Sequence, residues 1–179
     1  QILAALLLIQ GWNVVELLTG EGKSKVAVVA GFTNALEGKG SLVIVTRDEF
    51  AEKGKREDAD AIALMTGMSV GLIQATVMSD ERKAEEYNKD LTFVAVDQWA
   101  FDTGHDVLDV PKGEESMAII TRDNKRDMAA MSVILDEVDS TLIDQALTEF
   151  IRSRGGHGPA TPEARAKRLA FNYIAGELV

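Results

Sequence analysis

The sequence predicts an α/β fold, a mostly parallel sheet with helices on both faces. Three observations predict it. Short β-branched runs alternate with longer helix-forming segments, the pattern of strands joined by helical crossovers. A glycine-rich turn, Thr19-Gly20-Glu21-Gly22-Lys23-Ser24, separates an apolar run from a helix-forming one. A later apolar run, Met131 to Leu135, ends directly in Asp136-Glu137, and ligands of open parallel sheets gather outside the carboxyl ends of the strands.

The elements follow in order. Residues 2–9 hold only Ile, Leu and Ala, which predicts a buried helix. Asn13 to Leu18 reads as the strand before the glycine-rich turn, and Lys23 to Leu36 as the helix after it, ended by Gly38 and Gly40. Ser41 to Thr46 is a second buried strand. Asp48 to Met65 is charged early and apolar late, a helix closed by Gly67. Met68 to Ile73 gives a third strand. Ser79 to Tyr87 is a solvated helix capped by Ser79 or Asp80, and Leu91 to Val96 a fourth strand. The polar stretch from Asp102 to Glu115, broken by Gly104, Pro111 and Gly113, reads as loop. Met117 to Thr121 is a candidate short strand and Met131 to Leu135 a firmer one. Thr141 to Arg152 is a helix, 154–159 a linker, and Thr161-Pro162-Glu163 opens a basic amphipathic helix that runs to Leu178.

The chain has 179 residues, 46% hydrophobic and 27% charged, enough for one domain with a substantial core. Nineteen Lys and Arg against 29 Asp and Glu leave a net charge of −10. That argues against a nucleic-acid surface, which needs a basic patch. There is no Cys and there are two His, so disulfides and thiolate metal sites are excluded and a His-based site is disfavoured. The absence of Cys fits the cytoplasm. The longest apolar run, Ile2 to Ile9, is too short to span a bilayer. It has no basic flank before it, so it is not read as a signal peptide. A first residue that is Gln rather than Met suggests a fragment or a trimmed product.

The turn at Thr19–Ser24 carries the clearest chemistry. Two glycines let successive N–H groups curl inward toward phosphate oxygens, and the next helix adds the positive end of its dipole. Lys23 is placed to neutralise phosphate, and the Ser24 hydroxyl to hold Mg²⁺. Leu17 stands where the general G-x-x-x-x-G-K-[ST] pattern has its first glycine. Asp136 is then a candidate for the Mg²⁺ shell and Glu137 for the general base that polarises water. The turn could be a glycine turn with an exposed lysine, though its context favours a phosphate loop, and the two acids alone read as an ordinary acid-decorated helix start. In this order and context they make a nucleotide site. Trp12 and Trp99 read as packing residues, His105 as a solvated loop residue and His157 as linker. The run from Asp80 to Lys89 and the basic 165–168 segment read as wet helix faces.

Residue by residue, the chain resembles the first nucleotide-binding domain of SecA, the motor ATPase of bacterial and chloroplast preprotein export. Leu18 to Ser24 matches that family's T-G-E-G-K-T loop with Ser for Thr, and Gln1 stands where the family has an upstream Gln. Thr33-Asn34-Ala35-Leu36-Glu37-Gly38-Lys39-Gly40 is similar to its L-N-A-L-x-G-K-G. Val45-Thr46 and Asp48 to Ala51 parallel V-T-x-N-D-Y-L-A. Met68 to Ile73 matches L-S-V-G-L-I, and Glu81-Arg82-Lys83 with Tyr87 follow. Asp136 to Asp144 is close to D-E-V-D-S-I-L-I-D. The match runs in order through most of residues 1–155. Departures lie at Val94-Ala95-Val96-Asp97, where the family has G-T-N-N, and at Phe101 to Asp106, where its F-D-Y-L-R-D loses the arginine.

The resemblance implies a RecA-like P-loop domain over residues 1–154, with 155–179 a linker and helix that open an inserted polypeptide-binding domain. It implies ATP and Mg²⁺ as ligands, with Gln1 at adenine, Thr19, Gly20, Glu21, Gly22, Lys23 and Ser24 at phosphates, and Ser24 and Asp136 at Mg²⁺. Lys23, Asp136 and Glu137 would serve hydrolysis. It also implies a second RecA-like domain that supplies an arginine finger, an unfolded preprotein and a membrane channel as partners, and a cytoplasmic location at the membrane periphery. Without its partner domain, the isolated chain is expected to hydrolyse ATP weakly or not at all. The contrasting expectations are a degenerate RecA-like scaffold that has kept the fold as a binding surface, and a nucleic-acid helicase, which the net charge disfavours.

Overall fold

The computed structural model describes residues 1–11, 14–74, 78–108, 119–120 and 131–140. The first element, α1 (Ile2–Ile9), forms as its composition predicts. Its full burial does not follow. Ala4 and Ala5 are buried, whereas Ile2 and Leu3 are 80% and 71% exposed. A helix resting on one neighbour buries one stripe of its surface and no more, here against Val26.

The strand expected at 13–18 is not found. Asn13 lies outside the described residues, and 14–18 run without strand pairing. Val15 and Leu17 instead pack against the Ala4–Ala5–Val26 cluster. The Leu18 N–H donates to the Glu21 carboxylate at 2.9 Å. Local side-chain acceptors and packing on the helices have overridden a β-branched pattern, since strand propensity is largely a preference for a packed pleated surface.

Helix α2 (Lys23–Ala35) begins after Gly22 and closes through Gly38, whose φ is +77°. Strand β1 (Ser41–Val45) is buried at every position. The helix expected from Asp48 to Met65 is continuous in path but not in type. It comprises α3 (Asp48–Lys53), a π-helical turn at Gly54–Ala59, and α4 (Asp60–Thr66), closed by Gly67 at φ +74°. Strand β2 (Val70–Leu72) follows. Helix α5 (Asp80–Tyr87) is capped by the Ser79 hydroxyl, which accepts the Arg82 N–H. Strand β3 (Leu91–Ala95) is again buried throughout.

Residues 102–108, expected as loop, lie instead in α6 (Val96–Leu108). The reason is tertiary. Asp102, polar enough to suggest a loop, is 2% exposed and accepts from Lys83 Nζ at 2.9 Å, Tyr87 OH at 2.9 Å and Gln98 Nε2 at 2.7 Å. Asp106 accepts the backbone N–H groups of Ile119 and Ile120 at 2.7 and 2.8 Å. Each acid thus anchors the helix inward. Lys83 and Tyr87 are buried with Asp102, so α5 is not the purely solvated face that its charge suggested. His105 lies on α6, not in a loop, and Trp99 packs as expected. Ile119 and Ile120 form no strand; the rest of that candidate lies outside the described residues. So do Trp12, residues 109–115, the helix at 141–152, the 154–159 linker with His157, the domain boundary at 154/155 and the C-terminal helix.

Strand β4 (Ser132–Leu135) completes a four-stranded sheet of order β2-β3-β1-β4 among the described residues, every pair parallel. Successive side chains point to opposite faces. Val43, Val45, Leu91 and Phe93 therefore join Ala27, Val28 and Phe32 of α2 and Ala51 and Ala59 on one face. Leu42, Ile44 and Val94 join Ile73, Tyr87 and Met131 on the other. Both faces of the central strands β1 and β3 are covered, as parallel sheets require. Helix α2 is pressed close to the sheet at Gly31, where a Cβ would stand 2.6 Å from Leu91 Cδ1.

Candidate functional site

The carboxyl ends of β1 and β4 open onto a cleft of about 360 Å³. The glycine-rich turn forms one wall with Gly20, Gly22, Lys23 and Ser24, and Asp136 and Glu137 stand at the end of β4. Thr46, just past β1, also lines the cleft. The opposite wall comes from α3 and the π-helical turn, with Phe50, Lys53, Gly54 and Asp58. The floor is the sheet core itself, Val43, Val45 and Phe93, with Ala27 of α2.

The turn owes its shape to two left-handed glycines. Gly20 has φ +86° and Gly22 φ +81°, a region that costs an L-residue with a Cβ roughly 1–2 kcal/mol. Glu21 N–H donates to the Leu18 carbonyl at 3.2 Å, and the Gly22 carbonyl accepts from Lys25 and Val26 as the first turn of α2. Gly22 is thus the N-cap of α2, which puts Lys23 and Ser24 on that helix's first turn. Free N–H groups and the helix dipole favour an anion there.

At the other side, β4 pairs with β1 from Ser41↔Ser132 to Ile44↔Leu135. The Asp136 N–H carries the ladder on to the Ile44 carbonyl at 2.9 Å. Glu137 then leaves the strand with φ +52°, a positive φ on a residue with a side chain. Its N–H donates to Asp136 Oδ1 at 3.0 Å, and its Oε2 lies 3.5 Å from the Thr46 hydroxyl.

Of the residues singled out in the sequence, Gly20, Gly22, Lys23, Ser24, Asp136 and Glu137 come together around the cleft. Thr19 and Glu21 belong to the turn but do not line it. Gln1 does not line it either; its amide donates to the Glu21 carbonyl at 2.9 Å, behind the turn. The sequence marks Thr46 and Phe50 only within the match to V-T-x-N-D-Y-L-A, with no site role, and Lys53 and Asp58 not at all. For Thr46 and Phe50 the signal was that motif match; for Lys53 and Asp58 it was only an ordinary amphipathic helix. No cluster of three or more His, Cys, Asp or Glu able to hold a metal occurs among the described residues. The altered segment at Val94–Asp97 is not a loop: β3 passes directly into α6.

The sequence matches the family model described as the SecA DEAD-like domain over residues 1–174. The chain belongs to the SecA DEAD-like domain family. The SecA translocase subunit of Pyropia yezoensis is 38% identical over 170 residues, 95% of this chain and 18% of the relative. That of Caldicellulosiruptor saccharolyticus is 35% identical over 174 residues, 97% of this chain and 18% of the relative. The chloroplastic SecA subunit of Ostreococcus lucimarinus is 35% identical over 173 residues, 95% and 17% respectively. The chain therefore spans about 18% of the length of these SecA relatives. Its all-parallel sheet with helices on both faces is the RecA-like architecture expected of a SecA DEAD-like domain. No helix among the described residues is long and apolar enough to cross a membrane.

Proposed function

We propose that this chain is the ATP-binding domain of a SecA-type motor that couples ATP hydrolysis to the movement of polypeptide. The observation that carries the reading is the shared cleft, in which Lys23 and Ser24 face Asp136 and Glu137 across the ends of two parallel strands. The relatives are translocase subunits by name, which supports protein transport as the process served.

In this reading the N–H groups of Gly20 to Ser24 cradle the β- and γ-phosphates and Lys23 neutralises them. The Ser24 hydroxyl and the Asp136 carboxylate are hard oxygen donors on facing walls. They suit Mg²⁺, which keeps most of its waters and takes one or two protein ligands beside phosphate oxygens. When bound, that ion supplies charge neutralisation on the phosphates. Glu137 accepts a proton from the attacking water. Gln1 braces the turn through the Glu21 carbonyl, and its amide would have to leave that carbonyl to contact adenine. A second RecA-like domain supplies the arginine finger, a contribution worth about 10³–10⁵ in rate in nucleotide switches; without it this domain turns over slowly. Preprotein and a membrane channel are the partners of the whole motor, which works at the cytoplasmic side.

Calorimetric titration with Mg·ADP and a non-hydrolysable ATP analogue, wild type beside Lys23→Ala, tests the site. Saturable binding that Lys23→Ala abolishes is expected. Binding retained in that variant would sink the assignment of the turn.

A further inference from the structure

We propose that Thr46 is a positioning residue for Glu137, its hydroxyl holding the carboxylate that faces the phosphate turn. This rests on the reading of Glu137 as the base.

The sheet register sets the two residues opposite each other. The last paired rung is Ile44↔Leu135, and the Asp136 N–H extends the ladder to the Ile44 carbonyl. Thr46 and Glu137 each lie two residues beyond that rung, just past the ends of the two paired strands, so the register brings their backbone positions side by side at the mouth of the cleft. The Thr46 hydroxyl stands 3.5 Å from Glu137 Oε2, and both side chains line the cleft.

The backbone explains why Glu137 needs a partner. At φ +52° it has left the strand, so the pleat no longer aims its side chain. Its N–H is held by Asp136 Oδ1 at 3.0 Å, which fixes the main chain and not the carboxylate. A residue kept in a sparsely populated conformation invites a functional reading of the groups around it. Threonine is suited to the task because its branched Cβ restricts χ1, so the hydroxyl is presented in a defined direction. A carboxylate has two oxygens. A hydroxyl on Oε2 sets the carboxylate plane and leaves Oε1 for the proton of a water. A separation of 3.5 Å is the outer limit of a hydrogen bond, and such contacts tighten once a site is filled.

The test is steady-state ATP turnover by the full-length natural chain, with Mg·ADP affinity measured beside it. Thr46→Val, which keeps shape and removes the hydroxyl, should lower kcat about tenfold or more, toward the lower range of general-base effects, at unchanged Mg·ADP affinity. Thr46→Ser should restore most of the rate. In the Glu137→Gln background, Thr46→Val should add no further loss, since the group it positions is gone. Equal kcat for wild type and Thr46→Val, with Glu137→Gln inactive, would overturn the positioning role and leave the base in place. Equal losses for Thr46→Val and Thr46→Ser would overturn it as well, by tracing the effect to packing. Full turnover by Glu137→Gln would remove the base and this proposal together.

Discussion

The side-chain amide of Gln1 occupies the space that a Cβ on Gly22 would need: such an atom would stand 2.5 Å from Gln1 Nε2 and 3.2 Å from Gln1 Cδ. The same amide donates to the Glu21 carbonyl at 2.9 Å. Gln1 and the hinge of the glycine-rich turn are thus one packed unit.

Gly22→Ala therefore meets two obstacles, a left-handed φ of +81° and the Gln1 amide. The backbone term alone is about 1–2 kcal/mol. We expect a lower melting temperature and at least a tenfold loss of Mg·ADP affinity by titration. Gln1→Ala in the same background should relieve the steric part only, so stability should recover in part. Full affinity in Gly22→Ala alone would show that the turn tolerates another shape.

Glu137 holds a positive φ on a residue with a side chain, a strain of roughly 1–2 kcal/mol. Glycine would relieve it while adding a backbone-entropy cost of about 0.5–1 kcal/mol. Glu137→Gly is therefore expected to be as stable as wild type or slightly more so in chemical denaturation, while ATP turnover of the full-length protein falls. A destabilisation above about 1 kcal/mol would mean that the carboxylate contributes more to the fold than the backbone loses.

Lys83 and Asp102 form an ion pair of 2.9 Å whose side chains are 10% and 2% exposed. Removing one partner of a buried pair costs roughly 3–5 kcal/mol because the other charge is stranded. Lys83→Met should show a loss at the low end of that range, since Tyr87 and Gln98 still donate to Asp102. Adding Asp102→Asn should recover part of it by removing the stranded charge. Strict additivity of the two substitutions in a denaturation cycle would contradict the pairing.

Tyr87 donates to Asp102 Oδ2 at 2.9 Å, and its hydroxyl titrates well above the ordinary tyrosine range. Burial is the main cause; the negative charge of Asp102, the hydrogen bond to it and the Asp106 charge add to it. Above a pH of about 10 the unfolded chain releases this proton while the folded chain keeps it. The folded state then binds more protons, so stability falls as pH rises through that window, by up to about 1.4 kcal/mol per pH unit. Ultraviolet titration should show one of the two tyrosines ionising only when the protein unfolds. Tyr87→Phe should flatten the alkaline decline. An unchanged slope would assign it to other groups.

Much of the fold was legible because local signals agreed with the global structure. Strands β1 and β3 are continuous apolar runs, and continuous runs go to the centre of parallel sheets. Gly67 ends its helix at positive φ as its position implied. Ser79 caps α5. Lys23 and Ser24 open a helix after two glycines because that order of residues permits little else. The errors have a common cause. Asn13 to Leu18 is mostly an apolar run that reads as a strand, and residues 102–108 carry the polarity of a loop, yet both were decided by what they touch. Val15 and Leu17 found a helical surface to pack on. Asp102 found Lys83, Tyr87 and Gln98.

The order of residues alone established the α/β class, the helix that follows the glycine-rich turn, and the residues Gly20, Gly22, Lys23, Ser24, Asp136 and Glu137 as a candidate constellation. Only the tertiary structure decided that they share one cleft, because residues 22 and 136 meet through sheet order and not through spacing. It alone set Thr46 against Glu137, since register is a relation between strands. It also turned a polar stretch into a buried helix anchor, because a carboxylate is stable in a core once its donors, distant along the chain, have been brought to it.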